Sequence, residues 1–195
     1  MSNYLIPLMV VVPMLCAILV NAFAKFNKSI KVLTFVVAIC LPIIPLLSNY
    51  GLHFFGGYTP MLDNATGVIY HPAITYAFDM LQQIFIVAVG LITFLVAFIY
   101  LSKYKKASGQ YLFLLFMGTA SVTALMLTDD IFNMFVFFEI LALVQVGIVI
   151  ASPMDYSYEM ALKYMILGSI GSPIMLLGIG FLLASTGNIN ISDII

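Results

Sequence analysis

Six long apolar runs separated by short polar breaks organise the chain: Leu5 to Phe23, Val32 to Leu47, Phe78 to Leu101, Tyr111 to Leu127, Ile131 to Ala151 and Tyr158 to Ala184. A hydrocarbon core of about 30 Å takes about 20 residues of α-helix at 1.5 Å per residue, and the runs fit that ruler. The pattern predicts an all-α, polytopic membrane protein: a single membrane domain over residues 1–195 with about six transmembrane helices. The second run is the shortest, and Pro42 and Pro45 interrupt its far end, where ring geometry and the missing N–H oppose a regular helix. Residues 48–77 are rich in Gly, Pro, Tyr and Asn, with turn signals at Gly56-Gly57 and Asp63-Asn64, and are expected to form an outer loop or short hairpin. The tail S-T-G-N-I-N-I-S-D-I-I from Ser185 reads as a polar turn leading into another element.

Composition supports the membrane reading. Hydrophobic residues make up 64% and charged residues 8% of the chain, with a mean hydropathy of +1.17, against roughly 25% charged in a soluble domain. Too little polar surface exists to cover a water-facing exterior. Met1 to Tyr4 has no positive charge and no small-residue cleavage site follows the first run, so Leu5 onward reads as a retained helix rather than a signal peptide. The net charge of -1 says nothing about nucleic acid, but no basic stripe exists that could track phosphates, and that class of partner is set aside.

The lysines add orientation. Lys25, Lys28 and Lys31 lie between the first two runs, and Lys103, Lys105 and Lys106 between the third and fourth. Six spans put both clusters on one side, the cytoplasmic one by the positive-inside rule, which places both termini outside. The chain has no arginine, so cationic chemistry falls to lysine. Cys16 and Cys40 sit in apolar runs without metal or redox spacing and are expected to be buried small hydrophobes. His53 and His71, with Asp63 between them, lack ligand spacing and read as solvated loop residues; no metal site is expected.

An ionisable side chain within a span costs about 2.5–3.5 kcal/mol on insertion scales, which makes each one a functional candidate. Glu139 and Lys163 qualify. Glu139 lies about 12 Å from one end of the fifth run and about 18 Å from the other, near the midplane, where desolvation favours a carboxyl that takes up and releases protons; the bland alternative is a polar cross-link between helices. Lys163 is about 8 Å deep and its stem can snorkel to the headgroups. The two depths differ by about 10 Å, so no direct ion pair follows from the sequence. Asp79, Gln82 and Gln83 share a face at the start of the third run, where hydration alone can satisfy Asp79. Asn133 and Gln145 flank Glu139, and Ser121 and Thr123 lie on the fourth run; these polar groups suit a hydrated path or interhelical hydrogen bonds equally. Pro173 among Gly168, Gly171, Ser172, Gly178 and Gly180 suits either a kink that admits water or close packing.

The run T-D-D-I-F-N-M-F-V-F-F-E ending at Glu139, then E-M-A-L-K-Y-M-I-L-G-S-I-G from Glu159 and T-G-N-I-N-I-S-D-I near the end, resembles the antiporter-like membrane subunits of respiratory complex I, energy-converting membrane-bound hydrogenases and multisubunit sodium/proton antiporters. The likeness is strong over residues 110–195 and weaker before, with F-D-M-L from Phe78 similar to the start of the family's third helix. It implies that Glu139 modulates protonation of an intramembrane lysine and that Lys163 is a secondary member of a polar axis. Family members have about fourteen helices, and their principal lysines lie beyond residue 195; the chain is then a fragment, one piece of a split subunit, or a form that has lost autonomous translocation.

The function implied is proton translocation within a redox-driven complex of the NADH:quinone oxidoreductase or energy-converting hydrogenase type. The chain itself would be non-catalytic, since no haem, flavin or iron–sulfur ligand pattern is present and no cofactor is expected. The alternatives are part of a cation/proton antiporter without redox activity, and a structural spacer. Expected partners are other membrane subunits, redox subunits, the lipid bilayer and possible second-chain helices, in a cell membrane or energy-transducing inner membrane.

Overall fold

The computed structural model describes residues 5–24, 27–55, 61–62, 69–70, 74–104, 108–151 and 156–194. Among these, six helices are long and apolar enough to cross a membrane: α1 (Leu5–Ala22), α2 (Asn27–Ile43), α3 (Met80–Lys103), α4 (Gly109–Leu127), α5 (Ile131–Ile150) and α6 (Ser157–Thr186). A single-turn helix α7 (Ile191–Ile194) follows. The protein is therefore a polytopic bundle of α-helices. α2 begins at Asn27 rather than Val32, and past Pro42 it tightens into a 3-10 turn at Ile44–Leu47. Proline explains that ending, because Pro45 cannot supply the N–H an α-helical turn needs.

Helix α4 is the centre of the packing, touching α1, α3 and α5; α2 packs on α3 and α1, and α6 rests on α5. Two apolar clusters fill the bundle. Cys16, Ala17, Val20, Ile30, Leu41, Leu112 and Phe116 form one; Ile6, Met9, Val10, Ile86, Ala124 and Leu127, closed off by Tyr76 and Phe78, form the other. Cys16 is buried as expected, whereas Cys40 is exposed on the outer face of α2. Lying in an apolar run means contact with hydrocarbon, and lipid supplies that as well as protein does.

Helix α3 meets α2 so closely that Gly90 has no room for a side chain. A Cβ there would stand 2.8 Å from Pro42 N and 3.0 Å from Pro42 Cα, both backbone atoms that cannot rotate away. Gly90→Val is therefore expected to destabilise the bundle by about 1–3 kcal/mol through overpacking. Thermal unfolding of the purified variant measures this, and an unchanged midpoint refutes the close approach.

Between α2 and α3 the chain forms two antiparallel ladders. Strand β1 (Gly51–Phe55) pairs with β4 (Ile74–Phe78), with His53 opposite Tyr76, and β2 (Met61–Leu62) pairs with β3 (Ile69–Tyr70). Asp63 and His71 lie outside the described residues. At the opposite end of the bundle, Lys31 Nζ donates to Tyr104 O at 3.1 Å, so the start of α2 and the end of α3 meet there. The bundle thus has a strand end and a lysine end.

Candidate functional site

Helix α5 starts at an N-cap, Asp130, whose carboxylate accepts the Asn133 N–H at 2.9 Å and so satisfies one of the orphan donors of the first turn. From there the helix carries Glu139 inward. Val144 and Gly147 mark the face on α4, since Gly118 lies against Val144 and Gly147 against Leu114. Five residues separate Glu139 from Val144 and eight separate it from Gly147, about 140° and 80° of rotation at 100° per residue, so Glu139 sits to one side of the contact with α4 rather than within it. It is half-buried, and among the described residues no hydrogen bond or ion pair engages its carboxylate.

The other residues singled out from the sequence are not gathered around Glu139. Lys163 is on α6, 61% exposed, and its Nζ is 2.6 Å from Glu159 Oε1, one helical turn earlier. The i, i+4 spacing lets two long side chains meet above the helix surface without any burial. Asn133 lies about 20° from Val144 around the helix, on the α4 side, and donates through Nδ2 to Thr128 Oγ1 at 3.0 Å. Gln145 is exposed. Asp79 is the N-cap of α3, in a reciprocal capping box with Gln82. Gln83 donates to Pro45 O at 2.9 Å and accepts from the Tyr50 hydroxyl at 2.5 Å, a local tie between α3 and the end of α2. Of the serines and threonines, Ser121 donates to its own helix at Met117 O, while Thr119 reaches the Thr93 hydroxyl at 2.9 Å and links α3 to α4.

A second polar constellation, at the strand end, has no counterpart among the candidates that the sequence suggests. Thr75, Thr128, Asp129, Asp130 and Asn190 are all buried. Backbone bonds tie three distant segments together: Asp129 N donates to Thr75 O at 2.9 Å, Ile191 N to Asp129 O at 2.7 Å, and Ile131 N to Ile189 O at 3.0 Å. The Asp129 carboxylate accepts from Ser192 N at 3.2 Å and from the Ser192 hydroxyl. Thr75 Oγ1 donates to Asn190 Oδ1 at 3.4 Å. Burial raises the Tyr76 phenol above its ordinary value of 10, and a side-chain hydrogen bond with Asn133 opposes that rise. This junction holds the segment after α6 against the α4–α5 connector. Gly187, at φ 72°, makes the turn into that segment, a left-handed conformation that disfavours side chains. Adjacent aspartates before an apolar run were the available signal, and one of them, Asp130, caps α5.

Six spans with a carboxyl deep in the fifth define a multi-pass protein of the cell membrane. Residues 128–195 match the family model described as NADH:quinone oxidoreductase/Mrp antiporter, transmembrane. A protein of Methanocaldococcus jannaschii is 41% identical over 191 residues, which cover 98% of this chain and 38% of that one. A Na(+)/H(+) antiporter subunit of Bacillus subtilis is 31% identical over 106 residues, 54% of this chain and 21% of that one. In structure, a chain of the membrane-bound sulfane sulfur reductase, an archaeal respiratory membrane complex, superposes with a TM-score of 0.83 at 23% identity, over 97% of this chain and 39% of its own length. Residues 128–195 thus carry the transmembrane segment of this family, and the chain is similar to antiporter-like membrane subunits. It spans about two fifths, or less, of the length of these relatives.

Proposed function

We propose that the chain is the part of a proton-translocating, antiporter-like subunit that holds its membrane-embedded carboxyl, working inside a multisubunit membrane complex with the lysine end in the cytoplasm and both termini outside. The observation that carries this is Glu139: an acid deep in a span, half-buried and without a partner among the described residues. Placing such a group in a span without a partner is costly, which is why an intramembrane acid is a functional candidate by default. Lys163, tied to Glu159 near the lysine end, serves as an entry-side charge on the same route. The rest of the route belongs to helices that the longer relatives have.

Two couplings fit that role. Cation/proton exchange without redox chemistry is favoured by the sequence relative that is named an antiporter subunit. Drive by electron transfer in partner subunits is favoured by the architecture shared with a respiratory reductase. Everted membrane vesicles separate them. A sodium pulse that moves protons with no electron donor present supports the exchanger; proton movement that requires a donor supports the redox-driven complex. Movement under neither condition, with the complex assembled, overturns both.

A further inference from the structure

We propose that the groove between α3, α4 and α5 at the lysine end binds an anionic phospholipid, its phosphate against Lys103 and an acyl chain along Val96, Ile99 and Ile148. The groove has a volume of about 550 Å³ and is lined by Lys103, Tyr104, Ser108 and Gln110 beside the α3–α4 connector and by the apolar Val96, Ile99 and Ile148, within the range of ligand-holding pockets. Val96 lies seven residues below Lys103 on α3, about 10 Å along the axis, so the polar rim gives way to an apolar wall over the distance from headgroup to upper acyl chain.

The rim is built rather than incidental. Tyr100 stacks on Tyr111 at 4.3 Å and meets Tyr104 at 4.9 Å, and the Lys103 ammonium stands 5.7 Å from the Tyr104 ring centre. Tyrosines gather where one end of a side chain is apolar and the other wet, as at a membrane interface. The Tyr100 hydroxyl accepts the Ser108 N–H at 2.9 Å, which leaves its own hydrogen to donate into the groove, no acceptor being placed for it among the described residues. Among those residues no carboxylate pairs with Lys103.

Charge complementarity selects the anion. Among the described residues this end carries Lys28, Lys31 and Lys103 against Glu159, and Glu159 is engaged by Lys163. Such a lysine excess attracts anionic headgroups, and basic recesses between helices on the cytoplasmic side hold them.

The test uses the protein in its native membrane complex and a photoreactive phosphatidylglycerol. Labelling is expected in the peptides covering the end of α3 and the start of α4. Unlabelled phosphatidylglycerol should compete, and phosphatidylcholine or inorganic phosphate should not. Lys103→Gln should lower the labelling about fivefold, the scale of one lysine–anion contact at a membrane surface. Val96→Trp, which fills the groove and leaves every charge in place, should lower it similarly. Labelling that neither variant changes, or that phosphatidylcholine displaces equally well, overturns the proposal. Displacement by inorganic phosphate alone overturns the lipid assignment and leaves a phosphate site.

Discussion

Glu139→Gln is expected to reduce proton movement by the assembled complex on the order of a hundredfold, the effect that removing a proton-transferring group has on the step it serves. Glutamine keeps the size and polarity of the side chain and removes only the titration. No hydrogen bond or ion pair to the carboxylate is present among the described residues, so its replacement strands no partner group, and the variant should assemble at least to the normal level. Glu139→Asp, which retains the carboxyl on a shorter stem, should keep part of the activity. The measurement is collapse of a proton gradient in everted vesicles, normalised to the amount of complex. A glutamine variant that translocates at the parental rate would leave only the spacer reading.

Asp129→Ala should have a large effect on folding. Asp129 is 7% exposed, and its carboxylate receives both the backbone N–H and the hydroxyl of Ser192. Hydrogen bonds to an ionised acceptor contribute roughly 1.5–3 kcal/mol each, but Ser192 is exposed and water can take up its two donors, so a loss of about 1–3 kcal/mol is expected. Asp129→Asn retains an acceptor and should lose less. Because the interaction is shared, the double variant Asp129→Ala, Ser192→Ala should be little worse than Asp129→Ala alone, which a double-mutant cycle of thermal unfolding detects. Strict additivity of the two changes would mean that the contact contributes nothing. The functional consequence is indirect: with the tail released, the end of α6 loses its attachment to the start of α5, the helix that carries Glu139.

Much of this protein was legible along the chain because hydrocarbon imposes a length on each span. Glu139 was legible for the same reason: its distance from the ends of an apolar run is a count of residues. Rotation about the helix is different. Spacing along the span sets Asn133 and Glu139 about 120° apart, but only the contact with α4 shows which of them faces that helix. Lys163 illustrates the same gap, since a lysine at that depth can face a hydrated interior or bend outward; with α6 resting on α5 and most of its surface exposed, it turns to Glu159 instead.

The strand-end junction was the least visible part. It joins Thr75, Asp129 and Ser192, residues more than 50 positions apart in each direction, through backbone bonds that no local pattern announces. The sequence by itself determined the membrane, the number of crossings and the depth of the central acid, because these follow from how many apolar residues stand between polar ones. Tertiary structure alone decided which polar groups meet, because meeting depends on helix rotation and on pairings between remote segments, each settled by the packing of the whole bundle.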